Sequence, residues 1–246
     1  MVGFLIVLLT LAAGAFLQRV SGMGMALVSV SIMSLLLGPV EGVLVVNFMA
    51  VINALLTTFT VKQWVNWKMF ALISSMVVVG VVPGTMLISR VSVPLLQVIV
   101  GCMLLLALAA VIIGKRYIPQ MTSNTLAVLS GIAAGFMSTL AGIAGPALTV
   151  YASASRWEQR EFAATLQPIF IVAGGLSFSS KLLFGAGSLS MATSWVWPAG
   201  ILGMLLGIWL GVRFSNSISR DTAWKLSLTV AIAGGLSALV RGLSAL

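Results

Sequence analysis

Long apolar stretches, parted by short polar breaks, fill almost the whole 246-residue chain. The first covers about residues 2–38 and is interrupted only at Gln18-Arg19 and at Ser21, Gly22 and Gly24. At about 1.5 Å per helical residue it is too long for one membrane span and too short for two spans and a loop. The pattern therefore predicts two shorter helices meeting at a glycine break. Further spans are predicted over 42–61, 69–89 and 94–114. A second broken run follows at 125–154, interrupted at Gly142 and Gly145-Pro146, and then spans at 162–184, 193–212 and 223–240. None of these shows the polar–apolar alternation of barrel strands. The reading is an all-α integral membrane protein with about eight hydrophobic segments.

The pattern occurs twice. Gly14 and Gly24 lie ten residues apart, with Ser21 three before the second glycine and Ala26-Leu27 after it. Gly135 and Gly145 repeat this, with Gly142 and Ala147-Leu148, at a shift of 121 residues. Late in each half comes Gly-x-x-x-Gly followed by arginine: Gly80, Gly84 and Arg90, then Gly203, Gly207 and Arg213. Such glycine pairs ordinarily mark close helix packing. The chain thus divides into two homologous membrane repeats, 1–118 and 119–246, joined by a polar connection around 114–124. Four crossings per half would make the repeats parallel and spread the basic residues almost evenly over both faces, so that the positive-inside rule decides nothing. Re-entrant first runs give three crossings per half and inverted repeats, the scheme that run length and glycine content favour.

Composition sharpens the class. Only 7% of residues are charged and 60% are hydrophobic, against about 25% charged in soluble domains. The net charge of +9 comes from single Lys and Arg residues flanking the apolar runs, the pattern of topology signals and lipid contact and not of a nucleic-acid face. There is no histidine, and the single cysteine, Cys102, has no partner for a disulfide. The acids, Glu41, Glu158, Glu161 and Asp221, fall at predicted helix ends or loops. No catalytic set, metal site or cofactor is expected. No Lys or Arg precedes the first apolar run, so residues 1–38 read as mature structure and not as a signal peptide.

What the core holds is glycine, hydroxyls, amides and a little positive charge. A helix beginning at a break presents unsatisfied amides and a positive dipole end. Two facing breaks would make an anion site, and such backbone at membrane depth requires a cavity. The substrate-site candidates are Gly22, Gly24, Gly142 and Gly145 for their amides, Ser21 and Thr139 for their hydroxyls, Arg19 for charge, and the mid-span amides Asn47 and Gln167 at nearly matching repeat positions. Asn53 is a further mid-span amide, Lys181 reads as an interface residue, and Trp195 and Trp197 as interfacial anchors.

Taken together, the doubled break (Ser21-Gly-Met-Gly24 and Gly142-Ile-Ala-Gly145), the Gly-x-x-x-Gly with its arginine, the charged loop 155–161 and the chain length resemble the TauE/SafE, or sulfite exporter, family. The resemblance covers essentially the whole chain. Met25 and Pro146 stand where the family's break has a small residue. The resemblance implies a bacterial inner-membrane permease for sulfur-containing anions such as sulfite or organosulfonates. The residues by themselves support a two-fold repeated secondary transporter for a small anion, working by alternating access in the lipid bilayer. An anion channel on the same scaffold and a non-transporting membrane scaffold are the competing readings. A homo-oligomer is compatible with either.

Overall fold

A computed structural model describes the chain except residues 23, 118–119, 122, 189–193 and 215–217. Among the described residues ten α-helices follow in order: α1 (Val2–Ser21), α2 (Met25–Leu37), α3 (Pro39–Val61), α4 (Trp67–Ile88), α5 (Val93–Tyr117), α6 (Asn124–Ala141), α7 (Gly145–Ser155), α8 (Gln159–Leu183), α9 (Val196–Phe214) and α10 (Arg220–Ser244). Eight are long and apolar enough to cross a membrane; α2 and α7, with 13 and 11 residues, are the shorter pieces. Several helices begin a turn earlier than hydropathy predicts, because polar residues cap them. Asn66 caps α4, Glu158 caps α8 and Ser219 caps α10, each accepting backbone N–H groups of the first turn. The predicted start of the 193–212 span and the predicted boundary between the repeats at 118/119 lie outside the described residues.

Both broken runs break at the same kind of joint. α1 stops at Gly22 (φ 85°) and α6 at Gly142 (φ 66°), each glycine amide donating back to a carbonyl four residues earlier, Gln18 and Ser138. Left-handed backbone here excludes side chains at low cost. After the joint, α2 folds back along α1, with Gly14 against Met25 and Ser29, and Gly24 against Leu17 and Gln18.

Contacts fix the helix directions. The end of α3 meets the start of α8, where Asn66 bonds Thr165 and Glu161, while Val40 and Leu44 at the other end lie beside Gly187, just past α8. These two equivalent helices are therefore antiparallel. So are α5 and α10, since Gly242 packs on Pro94 and Gly101 on Leu239. The α3 and α5 helices thus run opposite to α8 and α10.

The Gly-x-x-x-Gly pairs do pack helices closely, but across the halves. Gly80 presses on the Ile132 carbonyl and Gly84 on Thr139, holding α4 parallel to α6. Gly203 and Gly207 press on the carbonyls of Leu8 and Ala12, holding α9 parallel to α1. The cores follow this exchange. One contains Val7, Leu11, Met25, Met33, Val45, Met49 and Met204, from α1, α2, α3 and α9. Its counterpart contains Ile73, Val77, Ala134, Leu148, Leu166 and Ile169, from α4, α6, α7 and α8. Each lobe is three helices of one half and the fourth helix of the other.

Candidate functional site

The two joints meet where α3 crosses α8, a crossing tight enough that Gly174 touches the Asn47 carbonyl. Between them lies a cavity of about 40 Å³, lined by Gly24, Ala26 and Leu27 at the start of α2 and by Ile143, Ala144, Gly145 and Pro146 at the start of α7. A buried water needs about 10–15 Å³ by the same measure, so the space suits a few waters or a small ion. Neither short helix carries a side-chain N-cap, in contrast to the capped α4, α6, α8 and α10. Their first amides and positive dipole ends therefore face the cavity uncapped by side chains. Asn47, Ser138, Gln18, Phe170 and Trp224 complete the wall. Among the described residues no group of three His, Cys, Asp or Glu side chains could hold a metal.

Amides stand on both sides of this cavity. Gln18 Nε2 donates to Gln167 Oε1 at 3.3 Å, and Asn47 Nδ2 donates to the Ser138 carbonyl at 3.4 Å. These contacts are near-copies of one another, each joining the end of a broken run (α1 or α6) to the long helix after the other break (α8 or α3). Beyond the Gln18–Gln167 pair opens a vestibule of about 400 Å³ lined by Arg19, Gly22, Thr57, Thr60, Trp64, Arg160 and Arg220. Arg19 rests its stem on Gly211 of α9 and donates from Nη1 to Thr60 Oγ1 at 3.2 Å. Arg160 lies over the Trp64 ring, 3.7 Å from its centroid. Arg220 reaches to the Gly22 joint.

On the opposite side the path along α3 and α8 is filled. Phe48 packs against Phe178 and Trp197 with ring centroids 5.4 and 5.3 Å apart. Ser177 bonds both Ser138, at 3.1 Å, and Thr139, at 3.0 Å. Thr85 donates to Ser180 at 2.9 Å.

A family model described as sulfite exporter TauE/SafE matches residues 6–238. The chain belongs to that family. The family resemblance read from the sequence is thus met over almost the full length, and the protein is a multi-pass membrane transporter. A relative, the probable sulfite/organosulfonate exporter TauE of Cupriavidus necator, is 24% identical over 242 residues, covering 96% of this chain and 93% of that protein. No solved structure matches.

Within this family member, Gly24, Asn47, Gly142 and Gly145 come together at the central cavity. Arg19, Gly22 and Gln167 line the vestibule. Ser21 lines a neighbouring cleft and donates to the Leu17 carbonyl at 2.7 Å. Thr139 turns away, bonding Gly135 and Ser177, while its neighbour Ser138 lines the cavity, its carbonyl accepting from Asn47 and its hydroxyl from Ser177. Asn53 is buried, with its Nδ2 unpaired. Trp195 and Trp197 are partly buried against the first lobe's core, Trp195 on Gly3.

Sequence reasoning passed over Gln18, Ser138, Arg160 and Arg220 as ligands. Gln18 adjoins Arg19 at the break, which was signal enough. The two arginines sit in what reads as ordinary loop or helix-start sequence, and only the fold carries them to the vestibule. Lys181 departs from its reading outright: it is 0% exposed, not an interface residue.

Proposed function

We propose that this protein is a carrier, not an enzyme, that exports sulfite or a small organosulfonate across the bacterial inner membrane by alternating access. The observation that carries this is the central cavity, where two uncapped helix starts from oppositely running halves converge beside Asn47, Gln18 and Ser138. An anion there is held by backbone amides and dipole ends, with no need for a charge in the membrane core. The α1–α2 and α6–α7 pairs act as re-entrant hairpins, which makes 1–118 and 119–246 inverted repeats of three full crossings each. The antiparallel courses of α3 against α8 and α5 against α10 support this.

This topology makes the positive-inside rule informative. Lys62, Lys68, Arg156, Arg160, Arg213, Arg220 and Lys225 fall on the vestibule face. Arg90 and Arg241 fall on the other. The vestibule is therefore cytoplasmic and both termini are outside. The anion enters past Arg19, Arg160 and Arg220, crosses the Gln18–Gln167 pair and lodges between the breaks. The bodies that rock are the two mixed lobes, since each half has lent its fourth helix to the other. The test is flux of labelled sulfite and sulfoacetate in vesicles with Gly24→Leu and Gly145→Leu. Loss of transport in both is expected, because at Gly24 even a Cβ would lie 2.8 Å from the Gln18 nitrogen. Unchanged flux in both would overturn the site.

A further inference from the structure

Lys181 is the charge that the site described so far leaves unused. It lies in the last turn of α8 and is fully buried, and its Nζ has no hydrogen-bond partner. Burying a lone ammonium is costly, so one kept without a bonded partner calls for a role. Glu41, in the first turn of α3, acts on it through space but forms no ion pair with it. The turn after α8 folds back over it, with the Ala186 and Gly187 amides donating to the Lys181 carbonyl at 2.8 and 3.1 Å.

Its position is informative in two ways. A trail of hydroxyls runs from the central cavity to the same turn of α8: Ser138 lines the cavity, Ser177 donates to Ser138, and Ser180 donates to the Ser177 carbonyl and accepts from Thr85. The repeat shift of 121 residues also places Lys181 opposite Thr60, the residue that holds Arg19 in the open vestibule. The two positions thus put one cation at each end of the path, Arg19 half-buried where the molecule is open and Lys181 fully buried where it is sealed.

We propose that Lys181 is the anion's second station: when the lobes rock and the sealed side opens, its ammonium becomes accessible, takes the anion from the central amides and hands it to the outside. This rests on the transporter reading above. The test uses the full chain in proteoliposomes with sulfite as the probe. Lys181→Gln should bind sulfite from the vestibule side within about threefold of wild type yet lose tenfold or more in turnover, with Lys181→Arg restoring part of it. Lys181→Cys, made with Cys102→Ala, should react with a membrane-impermeant thiol reagent from the face opposite the vestibule, and at least tenfold faster under a sulfite gradient. Lys181→Met should fold as well as wild type, since it removes a buried charge without a bonded partner. Wild-type turnover in Lys181→Gln, or labelling indifferent to sulfite, overturns the proposal alone. Absence of sulfite and sulfonate flux in the wild-type protein overturns the transporter reading and the proposal with it.

Discussion

The two sides of the central cavity are built from similar glycine breaks and end up unlike. On the vestibule side the joint at Gly22 has room around it: an added Cβ would meet only Ala163 at 3.7 Å and Arg220 at 3.9 Å. On the sealed side the joint at Gly142 is pressed by Val30 and Val43, and an added Cβ would lie 2.7 Å from the Val30 methyl. The chain has one hinge design and two states of packing around it. A carrier of inverted repeats needs this: if the halves could exchange environments, the open end would become the sealed one without new chemistry.

The largest effect that can break this comparison is at the joints themselves. Gly22→Ala should cost only the left-handed backbone penalty, about 1–2 kcal/mol. Gly142→Ala should add an overpacking cost of about 1–3 kcal/mol, visible as a lower melting temperature in detergent and a larger loss of sulfite flux. Equal effects would mean that the two sides are not packed as described. Next come the vestibule arginines. Arg19→Gln with Arg220→Gln should raise KM for sulfite about fivefold at low ionic strength with kcat little changed, and the difference should shrink in salt because the attraction acts through water. A kcat loss instead would place these residues in the translocation step.

A smaller effect is expected at the amide pair. Gln18→Ala and Gln167→Ala, singly and together, should show a coupling of about 1 kcal/mol in a double-mutant cycle on sulfite binding. Additive effects would remove the pair as a shared element of the path. The smallest is a control on the loop. The Glu158 carboxylate accepts from the Arg160 amide at 2.9 Å and the Glu161 amide at 2.8 Å, which holds its pKa below the ordinary carboxylate value. A depressed folded pKa means that its contribution is present at neutral pH and fades as pH falls through the carboxylate range. Glu158→Gln should therefore lower the melting temperature slightly at pH 7, and the difference from wild type should vanish in acid. A persistent difference would point to packing instead of the cap.

Hydropathy was enough to find all the long helices, because a span advertises itself by length and apolarity, and the glycine joints announced themselves as interruptions in those runs. Gly24, Gly142 and Gly145, marked by the doubled break, and Asn47, marked by its polarity in mid-span, line one cavity. Ser138 and Thr139 show where legibility stops. Neighbours on one helix differ by about 100° in direction, and nothing local says which of them faces the cavity. Lys181 shows a second limit. A lysine closing an apolar run reads as an interfacial residue, and it takes the turn at 184–187 and the facing α3 to bury it. The Gly-x-x-x-Gly motifs revealed close packing but not the partner, since a small-residue face is complementary to any comparable backbone.

That partner choice has a consequence for how the protein is made. The face of α1 that receives Gly203 and Gly207 is synthesised first, and its complement is nearly the last helix to leave the ribosome. The amino-terminal repeat therefore waits in the bilayer with an open seam along α1 and a second along α4, neither of which its own residues can close. Alone, it is an unfinished object. Produced as two separate polypeptides, the repeats should find each other, because each carries the glycine-faced helix that packs on the other's broken run, and neither should persist without its counterpart.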